Sequence, residues 1–295
     1  MTAMNEWDEE YQNRRYQEIQ QLIEWKKLDE ARRSAVSLIQ DAPEDPDAHA
    51  LLAHICLYQD QYDQALHWAS EALRHDPENQ LAWFVRSNTY YTMERWKSAL
   101  EAITEGQRID PYEPHYFFLL ANIYNKTSKY EEARELLLKA LELSPENALY
   151  LANLSYNEAL VRNFVESRLL ASHALRLEVE SDLVYLYLAW SAERRNDYDE
   201  YLLMLKNAIR LDPDDQQIRK EYMEGLQKTY KLYRILLYPS SLAKRMKPWQ
   251  VLLIWIGLWI IFRPLVIAFI VLYYAVYWIT RLMVHVRIFG WQFRK

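Results

Sequence analysis

Glycine is scarce in this sequence, four in 295 residues, and proline contributes only ten. So few chain-breaking residues suit a protein built from helices rather than from strands joined by tight turns. Cysteine occurs once, at Cys56, so one chain can form no internal disulfide, which fits a reducing compartment. The opening stretch MTAMNEWDEEYQNRRYQ is polar and acidic and lacks the apolar core of a secretory signal. Also missing are a phosphate-binding glycine loop, an HExxH pair, cysteines at metal spacing and a nucleophile elbow. The seven histidines are scattered. His49 and His54 fall on different helix faces and are expected at the surface or in a groove rather than on a metal. No catalytic residue, metal or cofactor is expected, and the chain reads as a non-enzyme. Its acidic balance, −6 overall, disfavours nucleic acid, whose phosphates need a basic stripe.

Acidic residues are missing altogether from residue 228 onward, where eleven Lys and Arg stand without one Asp or Glu. That leaves 24 of the 35 basic residues against all 41 acidic ones, so residues 1–227 carry about −17 and the tail +11. Within the tail, Trp249 to Ile279 is apolar over 31 residues, broken chiefly by Arg263-Pro264. A soluble core helix seldom runs so long without charge, so a membrane segment is expected over 249–280. Trp249, Trp255, Trp259, Tyr273, Tyr277 and Trp278 supply the amphipathic rings favoured at membrane interfaces. One span needs about 20 apolar residues and two need about 40, so two arrangements stay open. A single kinked helix places Arg263 near the bilayer centre, at a cost of about 3 kcal/mol. A hairpin turning at Arg263-Pro264 avoids that cost and uses proline where a helix tolerates it. Both flanks are basic, which puts both ends and the repeat domain on the cytoplasmic side, against anionic headgroups. The basic, aromatic residues 281–295 are expected to lie in the interface.

What the chain has in abundance is a repeat. Pro43, Pro77, Pro111, Pro145 and Pro213 stand in one register of 34 residues, broken only by Val179. Tyr62, Trp96, Tyr130, Phe164 and Tyr198 keep a second register, with Leu28 in the first unit. Small residues keep a third, Ala31, Ala65, Ala99, Ala133 and Ser167, which fails at Tyr201. A fourth runs Ala72, Gly106, Ala140, Ala174 and Ala208. Residues 114–147 show what each period encodes. Phe117, Leu120, Ala121 and Tyr124 line one helix face, a polar break follows, and Tyr130, Ala133, Leu137, Ala140 and Leu141 line a second. Such a helix pair cannot bury its apolar stripe alone, so its neighbours must stack on it.

At these residues the chain resembles the tetratricopeptide repeat (TPR) family. Trp83, Phe117, Leu151 and Tyr185 match its bulky position, and Ala53, Ser87, Ala121, Ser155 and Ala189 its small one. The resemblance implies an all-α solenoid of six units over residues 12–215, after an N-terminal segment 1–11. A cap helix over 216–238 and a basic linker over 239–248 complete the expected soluble part. Unit 1 departs from the pattern at Arg15 and Glu18 and is read as a terminal cap. Arg86 and Glu158 put charges where Leu and Tyr are usual, and local pairing is expected, with Arg162 the partner for Glu158.

In the family, first helices line a concave face that binds peptide. Carried over, that face comprises Phe84, Asn88, Tyr91, His115, Phe118, Asn122, Asn125, Lys126, Asn153, Tyr156, Tyr187, Trp190 and Arg194. Asn88 and Asn122 share one position in consecutive units, where an amide can bond a peptide backbone. The cations of the family's carboxylate clamp are missing, so an acidic chaperone tail is not the expected ligand. The expected function is a membrane-tethered TPR adaptor or scaffold that binds a protein segment at the cytoplasmic face. The alternative is a structural or membrane-shaping subunit of an integral membrane complex, whose repeats self-associate into homo- or hetero-oligomers.

Overall fold

The structure is a computed structural model that describes residues 2–177, 180–229 and 263–289. Among them are fourteen helices and no strand. Residues 1–146 and 147–295 form two compact units. The first holds α1 (Thr2–Glu24), α2 (Leu28–Asp41), α3 (Pro46–Tyr58), α4 (Tyr62–His75), α5 (Gln80–Thr92), α6 (Trp96–Ile109), α7 (Pro114–Lys126) and α8 (Tyr130–Leu143). The second holds α9 (Ala148–Leu160), α10 (Phe164–Ala174), α11 (Asp182–Arg194), α12 (Tyr198–Leu211), α13 (Gln216–Thr229) and α14 (Arg263–Phe289).

Two local devices punctuate the periods. Helices α3, α5, α7, α9 and α13 start at a side chain that accepts backbone N–H groups which have no partner inside the helix, whereas Ser181 makes no such bond at the start of α11. Asp45 accepts from residues 47 and 48, Asn79 from Ala82, Glu113 from His115, Asn147 from residues 149 and 150, and Asp215 from Ile218. Between the two helices of each pair stands a residue in the left-handed region: Lys26, Asp60, Glu94, Ser128, Arg162 and Asn196, with φ between 56° and 66°. None is glycine. The tight reversal is therefore made against the steric preference of L-residues.

In the first unit the small register lets paired helices approach closely. Ala31, Ala65, Ala99 and Ala133 are fully buried, with Ala35, Ala69, Ile103 and Leu137 one turn on. Gly106 has a specific reason: a Cβ there would stand 2.4 Å from the Tyr116 ring carbon Cζ. Cys56 is a free, buried core residue, as its place in the repeat implies. Helix α1 begins ten residues before the expected start of the repeats at residue 12, so segment 1–11 is continuous with the first repeat helix. Arg15 reaches Asp41 at 2.6 Å and Ser37 at 3.0 Å on α2, and Tyr16 donates a hydrogen bond to Asp45. Arg86 lies over the rings of Trp83 and Tyr90, its own helix neighbours, at 5.4 and 5.6 Å. It is half-buried and stabilised locally by cation–π contact.

In the second unit the small positions turn polar. Ser155, Ser167 and Ser191 are fully buried and meet at one node. Ser155 donates to the Ser167 carbonyl at 2.7 Å, and the Arg195 guanidinium donates to Ser167 and Ser191 at 2.7 and 2.9 Å. Its other nitrogen pairs with Glu200 at 2.7 Å, so this buried cation is both bonded and neutralised. Glu158, 2 % exposed, accepts from the Asn163 amide at 2.8 Å. Arg162, the partner expected from helical spacing, instead occupies the left-handed turn and is exposed. Helix α10 spans 11 residues where the other second helices span 14, and it ends early in the one unit without the register proline. Val179 itself lies outside the described residues. Tyr201, where the small register fails, is buried against α13, and Gly225 opposite it makes room: a Cβ would come within 2.7 Å of its ring.

Helix α14 packs on α13 within this unit. Val276 and Thr280, one turn apart, are buried, while Val271, Leu272, Tyr274, Trp278, Ile279 and Leu282 are exposed. The helix runs unbroken to Phe289, across the expected boundary between membrane segment and interfacial tail at 280. Among the described residues no helix is long and apolar enough to cross a membrane. The rest of the cap helix (230–238), the linker, the first hairpin arm with Trp249, Trp255 and Trp259, and residues 290–295 lie outside the described residues.

Candidate protein-binding faces and the tail helix

In the first unit, α3, α5 and α7 bring one ring each, or two, to a common ladder. His54 stands 6.1 Å from Phe84, Phe84 is 5.0 Å from His115, and His115 is 5.3 Å from Phe118. Tyr58 packs on His54 at 4.7 Å. Burial pushes the pKa of both imidazoles down to about 4, so both are neutral at pH 7 and the ladder carries no charge. His54 was legible as a site residue, since it holds the register of Asn88 and Asn122, one and two units later, but its residue type differs. His49 does not behave as a surface or groove residue. It is 5 % exposed, stacks between Trp68 and His75, and donates from Nε2 to the Pro43 carbonyl at 2.9 Å.

The amides expected to greet a peptide backbone are otherwise placed. Asn88 donates to the Phe84 carbonyl at 2.9 Å and its oxygen accepts from His115 Nε2 at 2.8 Å, so both ends are engaged within the protein. Asn122 and Phe118 are buried, at 5 and 3 % exposure. They lie about one and two turns into α7. Asn125 is half-buried and Lys126 exposed. The Lys126 ammonium bonds Glu94 at 2.9 Å and lies 4.4 Å from the centre of the Trp96 ring, which in turn packs on Tyr91. This lysine ties the ends of neighbouring helices together.

In the second unit three rings converge. Tyr156 on α9 lies 6.2 Å from Tyr187 and 5.8 Å from Trp190 on α11, and the latter two are 5.2 Å apart at 85°. The Trp190 indole N–H donates to Glu221 of α13 at 2.8 Å. Asn153 is fully buried, Tyr187 nearly so, and Arg194 is exposed. Glu221 is the residue sequence reasoning missed: it lies beyond the last repeat, yet 34 and 68 residues after Tyr187 and Asn153, so the groove register carried one period further would have found it. Elsewhere in this unit Asp182, Asp212 and Asp215 bring carboxylate oxygens within 4.8 Å of one another, the one grouping among the described residues that could hold a cation. Asp212 and Asp215 already accept backbone N–H groups at the start of α13.

On α14, Arg263 and Pro264 form the first turn, where proline costs no hydrogen bond. Tyr273 and Tyr277 are half-buried, and Trp278 is 62 % exposed. The Arg281 guanidinium lies 5.8 Å from the centre of the Trp278 ring and donates to the Tyr277 hydroxyl at 3.4 Å.

Two tetratricopeptide repeat family models match the chain, over residues 22–83 and 114–147. No curated protein matches it. Solved structures do. One, described as the functional characterization of Pseudomonas aeruginosa pilF, is 19 % identical with a TM-score of 0.56, covering 73 % of this chain and 96 % of that one. A tetratricopeptide repeat protein from Parabacteroides merdae is 12 % identical with a TM-score of 0.58, over 72 and 82 % of the two chains. The APC/C hetero-tetramer Cut9-Hcn1 is 17 % identical with a TM-score of 0.59, over 70 % of this chain. The match spans only 41 % of the length of that larger relative. At such identities the likeness is one of fold. With the 34-residue registers and the paired helices, it shows an all-α fold of stacked helix pairs, with tetratricopeptide repeats matched over residues 22–83 and 114–147.

Proposed function

We propose that the protein is a membrane-tethered adaptor, a non-enzyme whose repeat helices capture a segment of another protein while the tail holds it at the cytoplasmic membrane face. The observation that carries the capture is the placement of aromatic residues on successive first helices. Phe84 with His115, and Tyr156 with Trp190, are half-buried rings held by neighbours, the amphipathic anchors that dominate protein interfaces. The repeat fold is a protein-interaction scaffold, and the Cut9 relative was solved in a complex with another protein. The tether rests on charge and exposure. The tail has no acidic residue, and α14 leaves Val271, Leu272, Tyr274, Trp278, Ile279 and Leu282 open around one narrow buried strip. Apolar surface on that scale calls for a partner, and a bilayer with anionic headgroups suits its basic flanks.

Fractionation of cells expressing the full chain tests the tether. The protein should sediment with membranes and resist alkaline carbonate, whereas a Trp278→Glu, Leu282→Glu variant should be released. If the full chain stays in the supernatant, the tether is wrong and the exposed face of α14 serves another contact.

A further inference from the structure

The second unit carries an arrangement that a plain peptide groove does not need. Tyr156, Tyr187 and Trp190 meet edge-to-face or tilted, with centres 5.2 to 6.2 Å apart. A ring face is the negative part of its quadrupole, so a group of rings at these angles favours a cation laid against it. Beside them is a carboxylate. Glu221 is half-buried and accepts two hydrogen bonds, from the Trp190 indole at 2.8 Å and the Gln217 amide at 3.2 Å. Both donors are neutral, so the bonds fix its position and leave its charge intact. Two further carboxylates gather close by. Burial, and then the charges of Glu193, Glu221 and Glu224, hold the Tyr201 hydroxyl protonated, and that hydroxyl contacts the Glu221 carbonyl at 3.4 Å. Rings and acids therefore occupy one end of the unit.

We infer that the half-buried Tyr156, Trp190 and Glu221, with the buried Tyr187 packed behind them, form a receiving site for an arginine or lysine side chain carried by a basic segment of a partner protein. This rests on the capture reading above and narrows it to one partner chemistry. A guanidinium suits the site best, since it stacks on a ring face while donating in its own plane to a carboxylate. The charge beside the rings supports the sign: Glu221 stands against Trp190, within a repeat region of about −17. The chain's own basic tail is the competing occupant, which the tether proposed above would direct to the bilayer instead.

Fluorescence anisotropy with the full chain in detergent micelles tests the inference. The probes are a labelled Gly/Ser peptide carrying arginines, the same peptide with citrulline, which keeps shape and loses charge, and a peptide of residues 281–295. The arginine peptide should bind at least about tenfold tighter than its citrulline counterpart. Glu221→Gln, which keeps the indole hydrogen bond, should erase most of that difference without shifting the melting temperature. Trp190→Leu should weaken the arginine peptide by about tenfold. Equal binding of arginine and citrulline peptides, both lost in Tyr156→Ala, would overturn the cation site while leaving the capture reading standing. Unchanged discrimination in Glu221→Gln, or no binding by either peptide, would overturn it as well. Tight binding by residues 281–295 alone would replace the partner protein by a second copy of this chain.

Discussion

Single side chains decide how closely the helices of this protein meet. Gly106 was visible in the sequence only as a member of a small register otherwise filled by alanine. The structure supplies its cause, because the Tyr116 ring occupies the space a methyl group would need. Gly106→Ala is expected to cost about 1–3 kcal/mol by overpacking. Tyr116→Leu added to it should cost less than the sum of the two single changes, measured as a shift in urea midpoint. Purely additive losses would mean the two residues do not compete for space. His54 and His115 make a second test. Their folded pKa values, about 4, lie below the usual 6.5. The unfolded chain therefore binds more protons between those limits, and stability falls as pH drops from about 6.5 toward 4, then levels off. The loss is at most on the order of 3 kcal/mol for each group. Replacing both by Gln should flatten the stability profile across that window while leaving the arm above pH 7 unchanged. An unaltered slope would show that the imidazoles are already open to water.

Helices and their turns were largely legible, since five prolines, five aromatics and the small residues agree on one period. The cap residues Asp45, Asn79, Glu113, Asn147 and Asp215 keep the same period and follow the register proline by two. What the registers did not disclose is the left-handed turn, because no residue type repeats there: Lys, Asp, Glu, Ser, Arg and Asn fill it in turn. Glycine marks such turns in most sequences, and here it marks none. Where a charged or long side chain holds the position, glycine should be better. Glu94→Gly and Arg162→Gly are expected to stabilise by about 0.5–1 kcal/mol, and Asn196→Gly by much less, since asparagine tolerates this region. Thermal melts of the three variants would check the ordering. Equal gains at all three would mean that backbone strain is not what limits these turns. The buried polar node was also hidden. Ser155 and Ser167 looked like ordinary small residues, and only the fold brings Ser191, Arg195 and Glu200 to them from α11 and α12.

At the scale of the whole molecule, the division of charge was plain in the sequence, and the proposed division of labour rests on it: acidic repeats with half-buried aromatic faces for a protein partner, and a basic, apolar tail for a bilayer. The groove itself was only partly readable. Family registers locate first-helix residues well, yet cannot tell that Asn88 is spent on His115, that Asn122 and Asn153 are buried, or that Glu221 bonds the Trp190 indole. Site-specific photocrosslinking in intact cells tests capture and tether together. A benzophenone side chain placed at Tyr91, at Trp190 or at the exposed Lys139 of α8 is irradiated, and membranes are then isolated. The expected result is a discrete crosslinked protein from Tyr91 or Trp190, found in the membrane fraction and absent from Lys139. Crosslinks of equal yield at all three positions, or products confined to the soluble fraction, would contradict the adaptor.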